Sequence, residues 1–152
     1  MGPISPKIYA HMRNLGEAEA NALPMSADHR ALYRQARQGA SSRDILFDLS
    51  ERDMEILVAR SKGRCEMTGI AFNNDRDPQL RFRPFRMSID RLDNAGIYQL
   101  DNCRLVCAIA NYMRGTSTLE VAHVLFLEYA RSVGAVIPDE LVVSRDEDRW
   151  QY

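Results

Sequence analysis

From Ile8 to about Ala22, apolar positions recur at a weakly helical spacing that ends near Pro24. Ser26 stands where an N-cap belongs, ahead of a second helical stretch through Gln38 that Gly39 is expected to stop. Arg43 to Leu49 fits either a short helical turn or an extended piece. Ser50 followed by Asp53 has the spacing of a capping box, in which each residue satisfies the other's open amide. It opens a helix bearing Met54, Ile56, Leu57 and Val58, which runs to Lys62 and ends at Gly63.

The texture then changes. Gly69, Asn73, Asn74, Asp75 and Pro78 are turn-forming residues and mark a loop. After Pro84 the chain alternates as a strand does, with Phe85, Met87 and Ile89 on one side and Arg86, Ser88 and Asp90 on the other. A polar loop spans Asp93 to Asp101. Leu105 and Val106 fit a short strand, Val106 to Met113 a helix, and Gly115 a break. Ser117 or Thr118 caps a last amphipathic helix to Ser132, before Gly134, with Leu119, Ala122, Leu125, Phe126 and Tyr129 at helical spacing. The order is helices, then strand–loop–strand–helix, then one more helix, which predicts an α+β protein.

At 152 residues, with 45% hydrophobic and 27% charged residues, the chain is the size and composition of one globular domain, not a fibre or a disordered tail. Its most apolar helix carries Glu120, His123 and Glu128, so no membrane span is expected. The opening residues Met1 to Pro6 lack the basic-then-apolar layout of a signal peptide, which makes the cytoplasm the expected compartment. The net charge of −1 hides an asymmetry. Residues 60–114 hold ten basic and six acidic side chains, a net +4, whereas residues 139–152 carry a net −3. A basic middle with an acidic end fits a phosphate-facing surface, and so do 18 arginines against two lysines, because the guanidinium fork suits phosphate. A GC-rich coding sequence produces the same arginine bias with no function attached.

The three cysteines are an odd number and do not form a disulfide framework. Cys65 stands alone, and Cys103 and Cys107 lie in an apolar run where cysteine behaves as a small buried hydrophobe. No Cys-x-x-Cys pair or neighbouring histidine completes a structural zinc site.

The stretch that carries chemistry runs from Ser88-Ile89-Asp90-Arg91-Leu92-Asp93, through the loop to Asn102-Cys103-Arg104-Leu105-Val106-Cys107, and on to Asn111. A carboxylate ends a strand, one asparagine follows twelve residues later in the loop, and another nine further on in a helix. Singly, these residues also fit an exposed aspartate, a turn cap and a surface asparagine. As an ordered set the segment resembles the HNH nuclease family, whose strand–loop–strand–helix motif clasps one divalent metal. Arg64-Cys65-Glu66-Met67-Thr68-Gly69-Ile70-Ala71-Phe72 resembles the lead-in of phage-type members, and Ser88 to Asp93 resembles their Ser-Ile-Asp-Arg-Ile-Asp segment. The likeness covers about residues 43–114.

The resemblance implies a ββα-metal core with an N-terminal helical segment (1–49), an HNH domain (50–134) including a C-terminal packing helix, and an acidic tail (135–152). It implies a metal-dependent DNA endonuclease, phage-related and so working in the host cytoplasm, with Asp90 and Asn111 as metal ligands and Asn102 bracing the loop. Mg²⁺ is the expected metal, with Mn²⁺ able to substitute, since hard cations take oxygen ligands. The family's usual general-base histidine falls at Arg91, which cannot accept a proton near neutrality. Asp93 or His123 is left as the base; otherwise the metal acts alone, or the protein binds DNA without cutting it. Arg91 is expected to grip the scissile phosphate. Arg81, Arg83, Arg86, Arg104 and Arg114 complete the expected DNA contacts, and Arg81, Arg83 and Arg86 fit a solvated strand face equally well. Fewer than about 60 residues precede the motif, so sequence specificity is expected to be low or supplied by a partner protein. The competing expectations are a DNA-binding or phage accessory protein that kept the fold and lost hydrolysis, and a helical interaction protein whose match is chance.

Overall fold

Ser26 and Ser50 each open a helix through a reciprocal cap. In the computed structural model, which describes residue 18 and residues 21–75, 78–79 and 82–136, the Ser26 hydroxyl accepts from the His29 amide at 3.2 Å. His29 Nδ1 accepts in turn from the Ser26 amide at 3.2 Å. Helix α1 follows over Ala27–Ser41. It runs past Gly39, where a stop was expected, because Ala40 is wholly buried in the core and holds the last turn down. The reversal falls later, at Asp44, whose φ of 54° lets the Ile45 amide donate back to the Ala40 carbonyl at 3.0 Å.

Ser50 and Asp53 cap helix α2, Glu51–Ser61, with Asp53 Oδ2 accepting from the Ser50 amide at 2.8 Å. Lys62 and Gly63, both at positive φ, end it. Between the helices, residues 45–49 are extended. Phe47 bridges to Tyr98 in parallel, the Asp48 amide donates to the Tyr98 carbonyl at 2.8 Å, and the Tyr98 amide donates to the Leu46 carbonyl at 3.0 Å.

Strands β1 (Met87–Arg91) and β2 (Cys103–Cys107) form a two-stranded antiparallel sheet, with Met87 opposite Cys107 and Arg91 opposite Cys103. Phe85 lies outside β1, at a turn. The connection between the strands is long and ends in a single 3₁₀ turn at Leu100–Asn102. Helix α3 (Ala108–Arg114) leaves β2 directly, and Thr118, whose hydroxyl accepts from the Val121 amide at 3.3 Å, caps α4 (Leu119–Ser132). The chain is thus a mixed α+β protein, with four α-helices and one small sheet among the described residues. The weakly helical stretch expected over 8–22 and the acidic tail from 137 lie outside them.

The period-two pattern sorts the sheet's side chains. Ile89, Cys103 and Leu105 join Met54, Leu57, Val58, Ala40 and Leu49 in the main core under α1 and α2. Each fully buried aliphatic side chain there contributes about 1.5–3 kcal/mol relative to exposure. Ser88, Asp90 and Arg104 point the other way, toward α3. A smaller cluster of Cys65, Val106, Cys107 and Ala110 seals that side. All three cysteines are free and buried, and burial pushes the Cys103 and Cys107 thiols up to about 12.

The outer edge of β2 is closed by an ion pair. Arg60 Nε donates to Glu66 Oε2 at 2.8 Å and its Nη2 to the Cys103 carbonyl at 2.6 Å, while Glu66 Oε1 accepts from the Leu105 amide at 2.8 Å. Helix α4 packs more thinly than its pattern predicts. Ala122 of its expected apolar stripe is buried, whereas Leu125 and Tyr129 are exposed. No helix among the described residues is long and apolar enough to cross a membrane.

Candidate functional site

The β1–loop–β2–α3 unit brings Asp90, Asn102 and Asn111 onto one scaffold. Asp90 sits near the end of β1 opposite Arg104, so strand register alone sets the two side chains on the same face. Arg104 Nε donates to Asp90 Oδ2 at 2.9 Å. Helix α3 supplies the second partner, since Arg114 Nη1 donates to Asp90 Oδ1 in a short contact. The same guanidinium reaches the Arg91 carbonyl at 2.6 Å, the Leu92 carbonyl at 2.8 Å and Asn94 Oδ1 at 3.4 Å. Asp90 is 2% exposed and Arg114 1%. Arg114 is therefore an internal cation clasped by a carboxylate, an amide oxygen and two carbonyls where the first strand ends.

Asn111 lies one turn before Arg114 on the same helix. Its Nδ2 donates to Ser88 Oγ at 2.8 Å and to the Ile89 carbonyl at 3.2 Å, fixing α3 across β1. Asn102 works from the other side. Its Oδ1 accepts from the Asp93 amide at 2.9 Å, and its Nδ2 donates to the Asp93 carbonyl at 3.1 Å and the Ile97 carbonyl at 2.9 Å. Gly96 makes room for that amide, because a Cβ there would lie 2.7 Å from Asn102 Nδ2. Asn102 thus ties the loop backbone together at Asp93 and Ile97.

The remaining expected residues disperse. Arg91 alternates to the opposite face from Asp90, where its Nη1 donates to the Gly96 carbonyl and its guanidinium lies 5.0 Å from the centre of the Tyr98 ring. Asp93 Oδ1 accepts from the Ala95 amide at 2.9 Å, forming a turn. His123 is half-buried on α4. Arg104 and Arg114, expected at phosphate, are buried instead, because the Asp90 carboxylate draws both inward. Arg83 and Arg86 flank an exposed turn before β1, and Arg81 lies outside the described residues.

The donor set around Asp90 is oxygen-rich, as a hard cation requires. Its charge, however, is already met. Two guanidiniums against one carboxylate leave the cluster at +1, and Arg104 Nη2 and Arg114 Nε are buried with no hydrogen-bond partner among the described residues. Adding Mg²⁺ would place a divalent charge against two cations in a water-excluded site, which is strongly unfavourable. The residues as arranged do not fit a metal. Among the described residues no three His, Cys, Asp or Glu side chains gather to hold one.

No family model, curated protein or solved structure matches this chain. Sequence reasoning missed two features of the site. The Arg114 clasp had a signal, since Arg114 follows Asn111 by three residues and so shares its helix face. The Arg60–Glu66 pair had none, because the two residues meet only where α2 and the following turn close on β2.

Proposed function

We propose that this chain is a DNA-binding protein on an HNH-like ββα scaffold, in which Arg114 supplies the positive charge at Asp90 that a metal would otherwise supply. The observation that carries this reading is the double engagement of buried Asp90 by Arg104 and Arg114. It leaves the scaffold intact, with Asn102 bracing the loop and Asn111 tying helix to strand, and leaves the carboxylate no charge to offer a metal. DNA would meet the basic turn at Arg83 and Arg86, with affinity falling as salt rises. A partner protein would supply sequence selectivity.

A second reading, a Mg²⁺- or Mn²⁺-dependent endonuclease, is favoured by the order of Asp90, Asn102 and Asn111 along the strand–loop–strand–helix unit. It requires the guanidiniums to leave Asp90. Supercoiled plasmid incubated with the protein in Mg²⁺, Mn²⁺ or EDTA separates the two. The binding reading expects retardation in all three conditions and no nicking. Metal-dependent nicking that Asp90→Ala abolishes would replace it with the endonuclease.

A further inference from the structure

The turn ahead of β1 and the first turn of α3 are joined by backbone. The Ala108 amide donates to the Arg86 carbonyl and the Ile109 amide to the Pro84 carbonyl, each at 2.9 Å. This junction sets three large aromatic side chains in solvent: Phe82 is 45% exposed, Phe85 42% and Tyr112 80%. Phe82 and Tyr112 lie 6.4 Å apart between ring centres, with their planes inclined at 57°. A cluster of exposed rings, unlike a single one, marks a surface that binds something. The surrounding charge indicates what it binds. Residues 78–89 hold no acid and α3 holds none. Arg83 spends one donor on the Asn74 carbonyl at 3.1 Å, and the Arg86 guanidinium makes no hydrogen bond or ion pair with a described residue.

We infer that Phe82, Phe85 and Tyr112, with Arg83 and Arg86, form a platform for single-stranded DNA, on which unpaired bases stack while the arginines hold the backbone. Exposed rings interleaved with cations are what an unpaired strand needs, since every base has a face to stack and every link a phosphate. A duplex hides those faces and would gain only the charge. The inference rests on the DNA-binding reading and narrows it to unpaired DNA.

The test is fluorescence anisotropy of labelled dT20 and of a 20-base-pair duplex with the full chain, across a salt series. Tyr112→Ala is expected to weaken dT20 binding by about 5- to 100-fold, with duplex affinity changed less than about twofold and Tyr112→Phe restoring binding. Arg86→Gln is expected to flatten the salt dependence for dT20 by about 0.7 in logarithmic slope. Tyr129→Ala, which removes an exposed ring on α4, is expected to change neither ligand. If Tyr112→Ala and Phe82→Ala both bind dT20 as wild type does, or lose duplex binding equally, the platform is overturned while DNA binding stands. Wild type that binds neither ligand overturns the DNA-binding reading as well. A concentration-dependent dimer in sedimentation that Tyr112→Ala dissolves would assign the rings to self-association and overturn the platform.

Discussion

At residue scale the chain invests most heavily in Asp90. A buried carboxylate is costly unless paired, and here it has two partners from different elements, Arg104 across the sheet and Arg114 from α3. Removing the carboxylate leaves two uncompensated cations in a dry site, whereas removing one guanidinium leaves a neutral pair. Asp90→Asn is therefore expected to destabilise by about 3–5 kcal/mol in urea unfolding. Arg114→Met is expected to cost less, because Arg104 still compensates the carboxylate. The double variant should cost less than the two single losses added together, since it removes opposite charges. Additive losses would mean that the two residues do not interact. The same cluster predicts the response to metal. Saturating Mg²⁺ or Mn²⁺ should leave the melting temperature of wild type unchanged, because a ligand stabilises only what it binds. A clear upward shift that Asp90→Asn removes would show that a metal displaces the guanidiniums, and would favour the endonuclease reading.

At the scale of elements, caps and one loop brace account for much of the order. Ser26 and His29 close α1 through reciprocal bonds, and His29 Nδ1 must stay unprotonated to accept from the Ser26 amide. Burial holds the His29 imidazole below its ordinary value of 6.5, against the opposing pull of the Asp28 carboxylate. Protons then bind the unfolded chain more readily than the folded one. The contribution of this cap is complete above about pH 6.5 and is lost as pH falls below it. His29→Gln, which keeps an acceptor without a titrating ring, should flatten the change in unfolding free energy between pH 7.5 and 5.5. In the long connection, Asn102→Ala removes three hydrogen bonds to the loop backbone and is expected to cost about 1–3 kcal/mol. Gly96→Ala should have a similar effect, because its Cβ would displace the same amide. The two together should cost little more than either alone, read as urea unfolding and as faster amide exchange at Asp93. These elements were largely legible in the sequence. Both N-caps, the hydrophobic spacing of α2 and the alternation through Met87 and Ile89 are local signals, and local signals survive folding. The partners of Asp90 were not legible, since Arg104 reaches it only through the register that follows the loop, and Arg114 only through the direction α3 takes. Composition counted both as surface charge, and nothing short of tertiary packing distinguishes a buried arginine from an exposed one.

At the scale of the whole molecule, the motif depends on the segment before it. Tyr33, Phe47 and Tyr98 pack in a chain, Tyr33 edge-on to Phe47 at 5.4 Å between ring centres and Phe47 tilted against Tyr98 at 5.3 Å. Arg43 Nη2 donates to Tyr98 Oη at 2.9 Å, and Tyr33 Oη donates to the Leu49 carbonyl at 2.8 Å. Tyr98 belongs to the very loop that Asn102 braces and beneath which Arg91 lies. The residues from Met25 to Leu49 share a single core with β1 and β2, and a sheet of only two strands is marginal without packing on one face. A chain beginning at Ser50 would expose Ile89, Tyr98 and Leu105 to water. It is expected to lose cooperative unfolding and to bind a hydrophobic dye such as ANS, as a collapsed but unpacked state does. Phe47→Ala in the full chain asks the same question more gently. It should destabilise by about 3 kcal/mol and speed exchange at the Tyr98 amide, which donates to the Leu46 carbonyl beside it. If the chain from Ser50 instead unfolds cooperatively at the temperature of the full protein, the ββα unit stands alone, and the N-terminal helices have a purpose other than holding the loop.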